Sequence, residues 1–526
     1  MPGSAVPSRF LADSSSKLGS STPDAAGESF PIGESPAVSR MHNLKRSSLF
    51  RVKSAEAILS ENDASRSDAL KRTLGPFSLI ALGIGAIIGA GIFTLTGIAA
   101  ATKAGPALVY SFVLAAIGCA LAGLCYSEFS TMIPVAGSAY TYAYSTLGEL
   151  IAWIIGWDLV LEYAVGAATV SISWSKTLVA LLYSLGIHLP PQFLASPFEP
   201  VRLGNGAQVH GLINLPAVLI IVAVTSLLIS GTQASATVNS VIVFLKVSVL
   251  LLFIIVGWFY MDPANHHPFI PPNAGTFGAF GLSGILAGAG LIFFAYIGFD
   301  AVSTAAQETK NPKRDMPVGI IGSLLVCTVL FIAYSFVLTG VVNYRELNVA
   351  APLALALERI PQPLLAIAMN LAVLAGLTSV ILVMLLGQSR VFFAMSRDGL
   401  LPKVFSAVHP ERRTPWRCNL LLMFFVASFS AFAPIALVGA MTSIGTLFAF
   451  CIVCVGIVVM RRTHPELARP FTTPWVPFLP LAGAFCMSTS LFHAGAVQAI
   501  RRHHSSSWSA AHLSAPNRRF EGRSRL

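Results

Sequence analysis

Charged residues are scarce in this sequence: they make up 11% of its 526 residues, against 55% hydrophobic residues. Soluble globular proteins carry about 25% charged residues, so this chain cannot cover a water-facing surface of its size. The shortage excludes a soluble enzyme, a coiled coil and a disordered protein. Several apolar runs also reach the roughly 20 residues that a helix needs to cross a bilayer. The sequence therefore predicts an all-α polytopic membrane protein embedded in lipid.

Residue types that build metal and catalytic sites are also scarce in the apolar runs. The histidines lie outside these runs apart from His493, and the Cys451 and Cys454 pair lacks two further ligands. The sequence therefore predicts no cofactor, no metal site and no enzyme activity. A ring of repeated filter residues is missing as well, which argues against a channel. The net charge of +11 comes mostly from loops and tails beside the apolar runs, so we expect no nucleic-acid partner.

The apolar runs form eleven spans, with a polar segment at each end of the chain. The spans cover approximately residues 74–100, 106–132, 149–184, 211–230, 239–261, 281–305, 316–340, 363–394, 418–434, 438–460 and 476–498. We expect a disordered cytosolic segment at 1–73, a transmembrane domain at 74–498 and a basic tail at 499–526. Met41 opens a more basic stretch, and our hypothesis is that 1–40 is a spurious extension of the gene model.

Lysine and arginine are unequally distributed between the two sets of loops, which predicts the orientation in the membrane. With the N-terminus in the cytosol, the loops after spans 6, 8 and 10 lie on the cytosolic side. They carry Lys310, Lys313, Arg314, Arg397, Lys403, Arg412, Arg413, Arg417, Arg461, Arg462 and Arg469. The opposing loops are sparse, with Arg202, Arg345 and Arg359. We therefore expect a cytosolic N-terminus in the cell membrane.

Glycine interrupts spans 1 and 6, which correspond if the repeat unit is five helices. The glycines are Gly83, Gly85, Gly89 and Gly91 in span 1, and Gly288, Gly290 and Gly298 in span 6. Each glycine inside a helix costs about 1 kcal/mol relative to alanine. Glycine-interrupted segments at matching places in two halves indicate the binding site of a secondary transporter. Close packing of flexible helices is the alternative.

A helix break in mid-bilayer leaves backbone N–H and C=O groups without partners, and these are tolerated only beside a cavity or a ligand. The N–H groups of Gly89, Ala90 and Gly91 suit a carboxylate. The carbonyl ends near Ile87 and Phe293 suit an ammonium group. The two clusters together match the two ends of an α-amino acid. The candidates for the wall of a side-chain pocket are Phe293, Phe294 and Tyr296.

Several motifs resemble those of the amino acid–polyamine–organocation superfamily, in its bacterial-type cationic amino acid transporter branch. The motifs are residues 85–93, 126–140, 157–163, 294–302 and 308–313, and the likeness covers roughly residues 70–485. It implies the leucine-transporter fold, a 5+5 inverted repeat with discontinuous helices 1 and 6 and two further helices, and secondary transport of L-amino acids. The substrate positions that it implies are Ile87, Gly89, Ala90, Gly91 and Phe294.

The end of the sequence departs from this family, whose bacterial members have a twelfth helix and a cytosolic C-terminus. After about Gln498 the chain is rich in arginine and has no further apolar run. On eleven spans this tail would lie outside the cell, against the rule that basic loops stay inside. We therefore expect that a twelfth span has been lost through a frameshift or a truncation.

A lysine, Lys246, lies well inside span 5, where a charge costs at least about 2.5–3.5 kcal/mol. One interpretation is a lysine that reaches the interface or pairs with a carboxylate. The other is a group that gains and loses a proton during transport. The resemblance favours the second, because proton-coupled members of the superfamily carry a lysine here in place of a sodium ion. We therefore expect the proton as the coupling ion.

Acidic residues also lie in or beside the spans, among them Glu128 at the end of span 2, which we expect to belong to an inner gate or loop. Glu162 and Asp158 share one face of span 3, and Glu162 is the deeper. A second protonation site and a structural hydrogen bond are both compatible with Glu162. Asp300 and Glu308 close span 6, where we expect salt bridges to the basic residues that follow, Lys310 or Arg314.

These observations favour a secondary active transporter that imports L-amino acids with protons by alternating access. A cationic side chain needs an acid in the pocket, and only Glu162 offers itself, so small neutral amino acids such as alanine are the expected substrates. The alternatives are a cationic amino acid or polyamine exchanger or uniporter, and an amino acid sensor that does not transport.

Overall fold

The structure is a computed structural model that describes residues 51–54, 57–58, 70–89, 91–198, 200–202, 208–349, 352–433 and 435–489. All of these residues belong to one compact unit, Leu49–Leu526. The expectations for 1–40 and for the tail at 499–526 lie outside the described residues, as does Ala90.

Most of the described chain is helical. The longer α-helices are α1 (Pro76–Ile87), α2 (Leu108–Met132), α3 (Ala139–Thr146), α4 (Glu149–Ser184), α5 (Leu215–Ser230), α6 (Thr232–Trp258), α7 (Gly281–Ile292), α8 (Pro312–Val341), α9 (Pro352–Arg359), α10 (Pro363–Arg397), α11 (Trp416–Phe432), α12 (Ile435–Thr463) and α13 (Phe478–Thr489). Shorter helical turns include Gly91–Leu95, Thr96–Ala99, Ala100–Ala104, Gly105–Ala107, Phe293–Tyr296, Ala301–Thr304 and Ala306–Glu308. The strands β1 (Pro200–Arg202) and β2 (Gln208–His210) form an antiparallel hairpin.

The apolar helices are long enough for a bilayer. In the described residues, seven helical segments have the length and composition of membrane spans, and four shorter apolar helices accompany them. Most predicted boundaries agree with the structure to within a few residues: the third span is expected at 149–184, and α4 is Glu149–Ser184. Span 5, expected at 239–261, begins seven residues earlier, because α6 is Thr232–Trp258. The prediction of a polytopic helical membrane protein is confirmed. The number of spans stays a prediction, because the segment Gly91–Met132 joins the end of span 1 to span 2.

Helix ends meet at one face of the bundle, which we call the N-terminal face because α1 begins there. Leu74, just before α1, forms a parallel bridge with Thr309, just after span 6. Lys53 Nζ lies 2.7 Å from Asp398 Oδ1 at the end of α10. The hydroxyl of Tyr140 on α3 donates to the other oxygen of Asp398 at 2.7 Å.

The other helix ends meet at the opposite face. Asp262 N, after α6, donates to Gly340 O near the end of α8 at 3.0 Å. Asn214 N, before α5, donates to Ala431 O near the end of α11 at 3.2 Å. Consecutive long helices therefore cross the bundle in alternate directions, as spans of one membrane domain must.

The middle of the bundle is occupied by α10, which packs against α1, α4 and α6. The neighbouring helix α8 packs against α1, α2 and α6. The short helix α1 is therefore enclosed by long helices, and the chain that leaves its end at Ile87 does so inside the bundle.

A buried acid, Glu128, joins α2 to the end of α12 and to the loop that follows it, at the N-terminal face. Glu128 is 0% exposed. Its Oε1 accepts from Arg461 Nε at 3.0 Å, and its Oε2 accepts from Arg461 Nη2 at 2.8 Å and from Thr473 N at 2.7 Å. Arg469 Nε lies 3.6 Å from Oε1. One carboxylate thus meets two guanidinium groups and a backbone N–H.

We expect Glu128→Ala to destabilise the protein by roughly 3 kcal/mol, because it leaves Arg461 and the N–H of Thr473 without their buried partner. Glu346→Ala is the matched control, since Glu346 pairs with Arg359 where the side chains are 49% and 58% exposed. Such an exposed pair contributes less than about 1 kcal/mol. Thermal unfolding of both variants in detergent measures the difference, and equal losses would contradict the assignment.

Candidate functional site

The first break follows α1. Ile88 leaves the helix in an extended conformation, with φ −78° and ψ 97°, while its N–H still donates to Ile84 O at 3.1 Å. Gly89 lies in a bend, and helical structure resumes in the wide turns of Gly91–Leu95. The structure therefore interrupts span 1 beside Gly89 and Gly91, whereas Gly83 and Gly85 lie inside α1.

The second break follows α7. The α-helix ends at Ile292 and tightens into the 3₁₀ turn Phe293–Tyr296. Ile297 is then extended, with ψ 135°, and Gly298 has φ +119°. Helical structure returns only in the short turn Ala301–Thr304. Span 6 is thus interrupted as well, again beside a glycine that the sequence singled out.

The two breaks lie against each other. A Cβ atom placed on Gly91 would be 2.7 Å from Ala295 Cα, and one on Gly298 would be 2.7 Å from Ala86 Cβ. Both distances are shorter than real carbon contacts. Glycine is therefore required here for two reasons: the backbones approach closely, and the φ of Gly298 is one that side chains with a Cβ rarely adopt.

An ammonium group lies at the first break. Lys246 on α6 is 1% exposed. Its Nζ donates to Gly85 O at 3.1 Å, to Ile88 O at 3.0 Å and to Ser379 Oγ at 2.8 Å. Ser379 on α10 donates in turn to Gly85 O at 3.0 Å. Three oxygen atoms, two of them from the interrupted helix, therefore surround the amine and use its donors.

These contacts show how the buried amine of Lys246 is satisfied. The side chain neither reaches the interface nor pairs with a carboxylate, because its three hydrogen bonds go to two backbone carbonyls and a hydroxyl. The sequence predicts that carbonyls near Ile87 suit an ammonium, and the structure places a protein ammonium on the neighbouring carbonyls of Gly85 and Ile88. Ser379 was missed by sequence reasoning, since a serine in an apolar span carries no distinguishing signal.

A second polar cluster lies between α4 and the end of span 6. Glu162 is 2% exposed and its carboxyl group neighbours the Thr446 side chain and Asp300. Asp300 is also buried, and its Oδ2 accepts from the hydroxyl of Tyr163 at 2.6 Å. Two acids and a phenol therefore meet inside the bundle. Tyr163 was another residue that sequence reasoning missed.

The expected salt bridges of Asp300 and Glu308 to Lys310 or Arg314 are wrong. Asp300 bonds to Tyr163 on α4, and Glu308 forms its ion pair with Arg390 on α10. The reason is burial: both acids face the inside of the bundle, where long-range partners are available, while Lys310 and Arg314 are exposed.

The three aromatic candidates occupy different environments. Phe293 is buried and its ring centroid lies 6.3 Å from that of Phe450 on α12. Tyr296 is buried and its hydroxyl donates to Phe112 O on α2 at 3.1 Å. Phe294, between them in the chain, is half-buried. Phe294 therefore differs from its neighbours, whose side chains are engaged with other helices.

Comparison with known proteins agrees with this geometry. The model of the amino acid permease family matches residues 74–511, so the chain belongs to this family. The resemblance to the amino acid–polyamine–organocation superfamily is confirmed, and the chain is a membrane protein of a transporter family.

Curated relatives cover most of the chain. It is 45% identical over 444 residues to a branched-chain amino acid permease of Bacillus subtilis, covering 84% of this chain and 92% of the relative. It is 44% identical over 438 residues to the methylthioribose transporter of Bacillus subtilis, covering 83% and 91%. It is 38% identical over 419 residues to the chloroplastic cationic amino acid transporter 9 of Arabidopsis thaliana, covering 78% and 71%.

We expect Gly298→Ala to abolish transport in the assays described below, because the new methyl group would collide with Ala86 and the residue would keep a strained φ. Gly290→Ala is the matched control, since a Cβ on Gly290 meets no atom within 4 Å. The control should keep its activity within about twofold, as alanine is the better helix former. Comparable activity of the two variants in vesicles, at equal amounts of folded protein, would argue against a close contact between the breaks.

Proposed function

We propose that the protein imports neutral L-amino acids together with protons, by alternating access. The observation that carries this proposal is the ammonium of Lys246 on the broken end of α1, where the second break also lies. A titratable group bonded to the edge of a binding site links the proton to the substrate, because each then changes the environment of the other.

The substrate binds, in this proposal, across the two breaks. Its carboxylate accepts from the N–H groups at Gly89, Ala90 and Gly91, where the second half of span 1 begins. Since Lys246 uses the carbonyls of Gly85 and Ile88, the ammonium of the substrate goes to the carbonyl groups of Ile87 and Phe293. Backbone groups then recognise the part that all amino acids share.

The side-chain pocket selects among amino acids. We place the half-buried Phe294 at its wall, with Phe293 and Tyr296 supporting it through their contacts with α12 and α2. Glu162 is the acid available for a cationic side chain, and it is buried with Asp300 and Thr446 as neighbours. The pocket therefore suits an uncharged side chain, in keeping with relatives that are named branched-chain amino acid permeases.

Protonation of Lys246 sets the state of the first break. As an ammonium it makes charge-assisted bonds, which are about twice as strong as neutral ones. As a neutral amine it has one donor fewer and attracts the carbonyls of Gly85 and Ile88 less, so the end of α1 is held less firmly. Glu162, paired with Asp300, is the second group that we propose to carry a proton.

We further propose the leucine-transporter architecture, a 5+5 inverted repeat with a cytosolic N-terminus. The breaks support it, because they lie in spans 1 and 6, at the same place in two successive sets of five. The basic loops after spans 6, 8 and 10 support the orientation, because all three lie at the N-terminal face. On this assignment the substrate leaves the breaks toward the N-terminal face during import.

The test is uptake of labelled L-leucine and L-alanine into proteoliposomes with an acidic outside. The wild-type protein should accumulate substrate while the pH gradient lasts and lose it when a protonophore is added. Lys246→Gln should reduce this accumulation by at least about tenfold, since hydrogen bonds to a charged group contribute about 1.5–3 kcal/mol each. Lys313→Gln, at an exposed lysine of α8, should leave accumulation unchanged.

Other outcomes would overturn parts of the proposal. Leucine flux that ignores the pH gradient would refute proton coupling. Exchange of L-arginine for internal L-arginine, without accumulation of neutral amino acids, would favour the cationic exchanger. Binding without any flux would indicate a sensor, and competition by methylthioribose but not by leucine would assign a different substrate class.

A further inference from the structure

A buried ion pair lies where span 6 reaches the N-terminal face. Glu308 Oε1 accepts from Arg390 Nη2 at 2.5 Å, and Glu308 Oε2 lies 3.4 Å from Arg390 Nε. The side chains are 0% and 1% exposed. Thr232, the first residue of α6, donates its hydroxyl to Oε1 at 2.8 Å. One carboxylate thus joins span 6 to both α10 and α6.

The backbone of Glu308 is tied to the start of span 1. Its carbonyl accepts from Thr73 N at 2.8 Å and from Leu74 N at 3.0 Å, and Lys310 N donates to Leu74 O at 2.9 Å. The chains that carry the two breaks are therefore joined to each other by backbone hydrogen bonds. The side chain of Glu308 links them in turn to α6 and α10 at this face.

The same two helices hold the break and the ion pair. α6 contributes Lys246 at the break and Thr232 at the face, which are roughly 21 Å apart along the helix at 1.5 Å per residue. α10 contributes Ser379 and Arg390, roughly 17 Å apart. Half of the hydrocarbon core is about 15 Å, so the ion pair lies about half a membrane thickness from the break, at the level of the N-terminal face.

A buried ion pair is a weak source of stability, because the cost of removing both charges from water offsets their attraction. It can nevertheless act as a contact with two distinct states, one in which the pair is formed and one in which it is separated. Separated in a dry interior, each charge would be strongly disfavoured, whereas water that enters an opened pathway can solvate both. Such a pair is stable when the face is closed and can part when the face opens.

We propose that Glu308 and Arg390, with Thr232, form the gate of the N-terminal face. When the gate is closed, the ion pair holds spans 1 and 6 against α6 and α10. When the pair separates, the substrate site opens to the N-terminal face. Both residues are positioning residues for transport, since neither lies at the breaks. This inference rests on the proposed function, because a gate requires a transported substrate.

The test compares uptake of labelled L-leucine from the two faces, in right-side-out and inside-out membrane vesicles. Glu308→Gln weakens the closed gate and raises the population open to the N-terminal face. We expect the apparent KM for substrate offered at the opposite face to rise roughly three- to tenfold, and the KM at the N-terminal face to fall. Thr232→Val, which removes one hydroxyl, should shift both values in the same directions by less.

The double variant Glu308→Arg with Arg390→Glu restores the pair in reverse and should return the ratio of the two KM values to within about twofold of wild type. Glu346→Gln, at the exposed pair with Arg359, should leave the ratio unchanged. A lower maximal rate in Glu308→Gln and Thr232→Val with an unchanged ratio would show a purely structural role and overturn the gate. Absence of leucine flux in the wild-type protein would instead overturn the proposed function.

Discussion

The hydrocarbon core of a bilayer contains no water to hydrogen-bond the backbone groups at a broken helix end. This constraint determines the arrangement at the centre of the molecule. The end of α1 exposes carbonyl groups inside the bundle, and Lys246 meets two of them with its ammonium. The buried lysine and the broken helix end therefore stabilise each other. The charge would be costly in an intact apolar helix bundle, and the carbonyls would be costly without a donor. Ser379 completes the arrangement by donating to Gly85 O and accepting from the lysine.

The pairing of the breaks adds a second constraint, which is steric. Gly91 and Gly298 allow the interrupted segments to touch at Ala295 and Ala86. A movement of one segment therefore displaces the other. Packed interiors respond to such movements by switching between discrete arrangements rather than by deforming gradually. The change in the protonation of Lys246 that we propose at the first break would therefore reach the second break through direct contact.

The sequence predicts the parts of this arrangement that depend on local pattern. Hydropathy gives the spans to within a few residues, and clustered glycines give the interruptions, because both properties act over a few turns of one helix. The partners across helices are not predictable in this way. Lys246 and Ser379 lie 133 residues apart in the sequence, and Tyr163 and Asp300 lie 137 residues apart. Glu308 illustrates the error that results: its neighbours in sequence are basic, but its partner, Arg390, is 82 residues away.

The two buried basic side chains, Lys246 and Arg390, make the same kind of contact at different depths in the bundle. Each binds oxygen atoms of a segment that carries a break, and each is attached to a long helix, α6 or α10, that runs without interruption between the two levels. A long helix transmits a shift along its axis with little loss, whereas an interrupted segment can bend at its glycines. In the mechanism that we propose, the uninterrupted helices therefore act as the frame and the interrupted spans as the part that moves. Coupling between proton, substrate and gate would then need no long side-chain pathway, because the proposed contacts for all three lie between that frame and the interrupted spans.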